Sequence, residues 1–246
     1  MMQTKTKVNM FCFPPAGSGA VIYYPWKRHV AEWINIIPVE YPGHGAKVKQ
    51  ELINEPEVLA KVMLQDLSDS ANQPFILFGH SVGAALLWRV VELLSPEQLS
   101  NLKLIVVSSR PEYEFIRDMP EKHALTQQDI LGELKKYNNF PQEILNHQDT
   151  LNFFLKIIRN DFHLSDRMLH DHIAKKNIPL LAVYGVDDPD IPDIDCMNGW
   201  KNHSEKWLGA YALEGDHFYF RNEKSMHKML GIISDAVSEI VEEAYG

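Results

Sequence analysis

The residues of this sequence that could do covalent chemistry are a serine, a histidine and a carboxylate, set far apart along the chain. Ser81 stands in Gly79-His80-Ser81-Val82-Gly83, with the apolar run Pro74-Phe75-Ile76-Leu77-Phe78 before it and Ala84-Ala85-Leu86-Leu87-Trp88 after it. That pattern predicts a buried strand, a sharp turn and a helix. A serine at such a turn is held in strained backbone geometry, and a Cβ at either glycine would collide where strand and helix cross. The hydroxyl is presented above the sheet, beside the first free N–H groups of the new helix. The Val82 amide is therefore a candidate donor to an oxyanion. A second donor is expected from the loop after an earlier strand. Ala16, in the run Pro14-Pro15-Ala16-Gly17-Ser18-Gly19-Ala20, is the candidate. A phosphate cradle is the weaker reading of that loop, because no Gly-Lys-Ser/Thr follows it.

A serine hydroxyl is a poor nucleophile at neutral pH, so a base must take its proton and an acid must fix the base's tautomer. His217, in Glu214-Gly215-Asp216-His217-Phe218, is the candidate base. The acid is expected from Gly185-Val186-Asp187-Asp188-Pro189-Asp190. Asp188 is favoured there and Asp187 is the alternative, with Asp190, Asp193 and Asp195 crowding the same region. The order Ser81, Asp188, His217 is the nucleophile, acid, histidine order of α/β hydrolases, and each residue follows a predicted strand. Turnover is then expected to rise with pH as the histidine loses its proton. No metal centre is expected. His80 belongs to the serine turn, His170 and His172 are two apart among charged residues, and Cys12 and Cys196 have no ligand spacing.

These residues need a scaffold, and the chain alternates strand-like and helix-like segments in the manner of an α/β fold. Strands are expected at Val8–Phe13, 34–40, 74–78, 103–108, 179–184 and 207–213, with helices at 23–33, Pro56–Leu67, 82–94 and 225–244. In the helix at Pro56–Leu67, Val58, Leu59, Val62 and Leu64 or Leu67 fall at helical spacing. Trp88 reads as core, and Cys12 as a small buried hydrophobe. The alternation stops from about 110 to 177, where helices are predicted around 126–137, 141–146 and 150–162. Leu151, Phe154, Leu155, Ile158 and Phe162 form one apolar stripe there. An insertion above the strand ends predicts a lid that selects substrate. The expected fold is thus a mostly parallel sheet flanked by helices, one domain over 1–246 with a helical lid insertion at about 110–177.

With 246 residues the chain can bury a sizeable core, and its net charge of −9 and pI near 5.6 argue against a nucleic-acid partner. The polar N-terminus and the lack of a long apolar run predict a cytoplasmic protein with no membrane contact. Two cysteines make no disulfide framework.

The motifs together resemble a known family. Phe11-Cys12-Phe13-Pro14-Pro15-Ala16-Gly17, Tyr41-Pro42-Gly43-His44-Gly45, Phe78-Gly79-His80-Ser81, the run from Gly185 to Pro189 and Gly215-Asp216-His217-Phe218 look like the type II thioesterases of nonribosomal peptide and polyketide synthesis. Asn160-Asp161-Phe162 is similar to the family's Arg-Ala-Asp-Phe segment. The resemblance implies hydrolysis of stray acyl groups from the phosphopantetheine arm of acyl or peptidyl carrier proteins. Ala16 and Val82 would be the oxyanion donors, and small acyl thioesters would also be substrates. No cofactor is implied beyond the arm carried by the partner. The sequence departs from the family's pattern at Val82 for Met, Ser18 for Gly and His44 for Arg, and Asn138-Asn139-Phe140-Pro141 stands for a Gly-Gly-Thr-Pro run. Because carrier proteins of this kind are acidic and this chain is acidic too, docking needs a local basic patch. Lys135-Lys136 and Lys175-Lys176 are the candidates. A general carboxylesterase, or a hydrolase-fold binding protein without catalysis, would be the competing readings.

Overall fold

The computed structural model describes residues 6–67, 70–137 and 146–243. Its centre is a six-stranded sheet in the order β2-β1-β3-β4-β5-β6, with every neighbouring pair parallel. The strands are β1 (Val8–Phe13), β2 (Ile34–Pro38), β3 (Phe75–His80), β4 (Leu102–Ser108), β5 (Lys176–Gly185) and β6 (Ser204–Leu213). The inner strands of a parallel sheet are covered on both faces and read as largely apolar runs, whereas the edge strands β2 and β6 keep exposed positions. β3 shows this directly. Phe75 and Leu77 enter the core on one face, with Leu59, Met63 and Leu87, while Ile76 and Phe78 enter the core on the other, with Met229, Leu230 and Ile233.

The helices are α1 (Pro56–Leu67), α2 (Val82–Leu93) and α3 (Pro96–Asn101), then α4 (Tyr113–Ile116), α5 (Gln127–Lys136) and α6 (Gln148–Asp166) between β4 and β5, and finally α7 (Asp195–Asn198) and α8 (Glu223–Glu243). α2 is buried almost all round, as its uniform apolarity predicts, and Trp88 within it stacks on Trp200 with ring centroids 5.9 Å apart. Cys12 and Cys196 are buried free thiols. No helix among the described residues is long and apolar enough to cross a membrane.

Three local expectations are corrected. Residues 23–33 do not form an α-helix. A 3-10 helix spans Ala20–Arg28, because Pro25 has no N–H to give to an α-helical ladder. In α1 the buried face is Pro56, Leu59, Ala60, Met63 and Leu67, and Val58 is 49% exposed, since it lies about 100° around the helix from Leu59. α3 has no counterpart among the expected elements. It carries its own start signal, a capping box in which Ser95 and Gln98 exchange side-chain and backbone hydrogen bonds. The expected helix at 141–146 and the run 138–141 fall, but for residue 146, outside the described residues.

The sheet order reverses between β1 and β3: the chain runs outward to β2, then returns to add β3 on the other side of β1. The loops leaving β1 and β3 therefore diverge at their carboxyl ends and open a crevice, the usual ligand site of an open parallel sheet. Ala16 is on one of those loops and Ser81 on the other.

Candidate active site

Ser81 links β3 to α2 with φ 54° and ψ −120°, one of two non-glycine residues with positive φ among the described residues. Such a backbone costs on the order of 1–3 kcal/mol, and it persists because the surroundings over-determine it. The Ser81 amide donates to the Ser108 carbonyl at the end of β4 (2.8 Å), and Ala84 N–H donates to the Ser81 carbonyl (3.0 Å). The two flanking glycines make different close approaches. A Cβ on Gly79 would meet α2 at Ala84 Cα (2.6 Å), whereas one on Gly83 would fall on the backbone of Phe13 and Pro14 as the chain leaves β1. Gly83 thus packs the serine turn against the Ala16 loop, while its carbonyl oxygen, which a Cβ on Gly79 would meet at 2.5 Å, lies at the crossing with β3. Val82 is the first residue of α2, where backbone N–H groups have no partner within the helix.

His217 follows β6 and Asp188 follows β5. Both are buried, and His217 Nδ1 lies 3.0 and 2.9 Å from the two Asp188 oxygens. The Asp190 amide donates to Asp188 Oδ1 (3.0 Å), which further fixes the carboxylate. Asp187 behaves differently. Its side chain is exposed, and its amide donates to the Gly215 carbonyl (3.0 Å), which ties the β5 loop to the β6 loop. Asp193 and Asp195 are exposed as well.

The loop junction depends on Gly185. A Cβ there would fall on the carbonyl oxygens of Gly215 and Asp216, immediately before His217. Gly185→Ala is expected to destabilise the fold by about 1–3 kcal/mol and to lower kcat by displacing the histidine. Thermal unfolding and steady-state kinetics measure the two effects. An unchanged Tm would show that the loops are not in contact.

Behind His217 lies His80, with ring centroids 4.7 Å apart. Burial, then the charges of His217 and Arg221, push the His80 imidazole well below its ordinary pKa, so it stays neutral beside His217. His80 Nδ1 bonds Ser108 Oγ (2.8 Å), which bonds the Tyr219 hydroxyl (2.8 Å). On the other side the ring of Tyr137, at the end of α5, stands 4.8 Å from His217. Its hydroxyl donates to Asp190 (2.9 and 3.1 Å). Burial and then Asp190 drive its pKa up, so it remains a phenol. Tyr137 has no sequence signal marking it as part of the site, whereas Asp190 is one of the carboxylates that crowd the expected acid. Both are brought in by the β4–β5 insertion and the β5 loop.

Ala16, Ser81, Val82 and His217 all line one cavity of about 660 Å³. Its remaining wall is largely apolar and comes in good part from the insertion, including Ile116, Met119, Leu134, Phe154 and Ile158. The stripe on α6 divides its work. Leu151, Leu155, Ile158 and Phe162 form a small core with Ile130 of α5, while Phe154, Ile158 and Phe162 also face the cavity.

Among the described residues two groups bring ligand-type atoms within 4.8 Å of one another: Asp188, Asp190 and His217, and the exposed His29, Glu223 and His227. In the first, His217 Nδ1 is already taken by Asp188. In the second, His29 Nδ1 and His227 Nε2 share a hydrogen bond at 2.7 Å.

Comparison with known proteins gives a consistent result. The family model for the thioesterase domain matches residues 9–237. The chain is 25% identical to linear gramicidin dehydrogenase LgrE of Brevibacillus parabrevis over 239 residues, covering 96% of this chain and 90% of that protein. Among solved structures, ClbQ from the colibactin NRPS/PKS pathway superposes with a TM-score of 0.84 at 19% identity, covering 98% of this chain and all of that one. YbtT, a type II thioesterase from the yersiniabactin NRPS/PKS pathway, gives 0.83 at 20% identity, covering 96% and 95%. These likenesses establish the α/β-hydrolase fold of the thioesterases. The word dehydrogenase in the LgrE name has no counterpart in the β1 loop here. Gly17-Ser18-Gly19-Ala20-Val21-Ile22 lacks the third small residue of a dinucleotide fingerprint and leads into a 3-10 helix.

Proposed function

The chain belongs to the thioesterase-domain family, hydrolases of thioester bonds, and from that premise we propose that it is a type II thioesterase acting on acyl groups held on carrier proteins, with Ser81, His217 and Asp188 as its triad. One observation supports this reading above the others: a buried Asp188–His217 pair and the strained Ser81 open on the same apolar cavity.

Asp188 accepts from His217 Nδ1–H, which leaves Nε2 as the lone pair that takes the Ser81 proton. The serine oxygen attacks the thioester carbonyl, and the Ala16 and Val82 amides hold the oxyanion, each such donor being worth about 100- to 1,000-fold. The leaving thiol has a pKa of about 8.5, so its departure asks less of the histidine than an alcohol's would. Water activated by the same histidine then frees the acyl group. The insertion, acting as a lid, would enclose the acyl chain against Met119, Phe154 and Ile157.

A carrier protein is the proposed source of the substrate because the named neighbours come from biosynthetic pathways: linear gramicidin, colibactin and yersiniabactin. Of the proposed docking lysines, Lys135, Lys136 and Lys175 are exposed, Lys136 being paired with Glu133, and Lys176 is half-buried at the start of β5. Acyl-loaded carrier protein, the same acyl group on a short thiol and the matched oxygen ester separate the alternatives. The carrier thioester should be hydrolysed fastest, and Lys135→Glu with Lys175→Glu should slow it about 10-fold while leaving the short thioester unchanged. Equal rates on oxygen ester and thioester would indicate a carboxylesterase. Equal loss on both thioesters would refute docking through these lysines.

A further inference from the structure

The Ala16 loop is held from below by a buried carboxylate that the triad does not use. Asp161 of α6 is 1% exposed, and its Oδ2 accepts the Gly17 amide at 2.8 Å, one peptide from the proposed oxyanion donor. The same oxygen lies 2.9 Å from His44 Nε2, and Oδ1 accepts from Asn160 Nδ2 (3.1 Å). His44, itself 3% exposed, places Nδ1 3.0 Å from the Pro42 carbonyl.

The protonation state follows from these contacts. A carbonyl oxygen only accepts, so Nδ1 must carry a hydrogen. Nε2 faces a carboxylate oxygen, which also accepts. Both nitrogens therefore carry hydrogens, and the ring is an imidazolium paired with Asp161. The groups facing it are Asp161 from α6, the Glu40 carboxylate just after β2, and the Pro42 carbonyl and Tyr41 ring of its own turn, the ring centroid being 5.7 Å away. Burial alone would push the His44 pKa down. The hydrogen bond and charge of Asp161, with smaller help from Pro42 and Glu40, outweigh it, and the pKa stands above its ordinary value.

We propose that the His44–Asp161 pair is a proton-dependent clamp on the oxyanion loop, with Asp161 as a positioning residue that fixes the Ala16–Gly17 peptide and joins it to the lid helix α6. The consequence for the reaction rests on the thioesterase reading above. The state of the clamp does not. When His44 loses its proton, two acceptors face each other across 2.9 Å, Asp161 loses its counter-charge, and the grip on Gly17 loosens. An imidazole whose folded pKa is raised stabilises the fold fully below its unfolded value, about 6.5, and the stabilisation is lost as pH rises through the folded value. Activity therefore gains an alkaline falling limb.

Two measurements test this. In the full-length protein, the His44 ring resonances followed by NMR should titrate above about 6.5, and Asp161→Asn should move that midpoint down. On a short acyl thioester, kcat/KM should fall above the His44 midpoint in the wild type. His44→Arg, which stays charged at every pH, should abolish that fall. Asp161→Asn should lower kcat about 10-fold with KM changed less than about twofold, since an oxyanion contact acts in the transition state. A His44 midpoint at or below about 6.5 overturns the ion pair. An alkaline limb that survives His44→Arg overturns the clamp on catalysis. A full rate in Ser81→Ala would instead refute the thioesterase site and leave the His44 titration to be judged by itself.

Discussion

Ser81→Ala is expected to lower kcat on an acyl thioester by about 10⁴- to 10⁶-fold, the loss seen when a triad nucleophile is removed. The remaining rate would come from the oxyanion donors and from binding, which the substitution leaves in place. KM should change little, because the hydroxyl contributes to the transition state and hardly to the ground state. The fold should survive. Alanine at φ 54° carries the same backbone strain as serine, and the amide and carbonyl bonds to Ser108 and Ala84 involve no side-chain atom. Thiol release measured against the protein-free rate reads the first effect, thermal unfolding the second, and loss of labelling by a fluorophosphonate identifies the nucleophile. A variant within about tenfold of wild type would show that the strain at Ser81 serves packing only.

The second large effect is the contrast between two adjacent carboxylates. Asp188→Asn should reduce kcat by about 10⁴-fold, because an amide nitrogen beside His217 Nδ1 favours the tautomer with its hydrogen on Nε2, which cannot accept the serine proton. Asp187→Asn should reduce it by less than about twofold. Its side chain is in solvent and its amide, which holds Gly215, is unaltered by the substitution. The pair of variants also controls for loop damage, since both sit in one turn. If the Asp187 variant loses turnover and the Asp188 variant retains it, the roles are exchanged and the 2.9 Å contact to His217 is structural.

Much of the architecture is legible in the chain because parallel strands buried on both faces must be continuously apolar. Phe75–His80 carries that signal over its whole length, and Leu102–Ser108 and Lys176–Gly185 carry it past their first two residues. The serine turn is legible for a related reason: close approach of backbones demands glycine, and Gly79 and Gly83 are where it occurs. The 3-10 helix at Ala20–Arg28 is harder to read, since its apolar spacing looks helical and Pro25 decides the matter. The buried face of α1 excludes Val58, because periodicity gives the angular width of a stripe and leaves its centre free by one residue.

By itself the sequence determined the order of strands and helices, the strained serine and the two loops able to supply an acid and a base, because these are local consequences of apolar runs and of glycine. Only the tertiary structure decided which carboxylate turns inward, since Asp187 and Asp188 have the same composition and nearly the same neighbours, and the bond from the Asp187 amide to the β6 loop sets their directions. It likewise decided that His44, Asp161 and Gly17, separated by up to 144 residues, meet under the Ala16 loop. Such a meeting leaves no periodic trace in a chain. It is a property of how β1, β2 and the helical insertion converge at the reversal of the sheet, where burial makes every hydrogen bond obligatory.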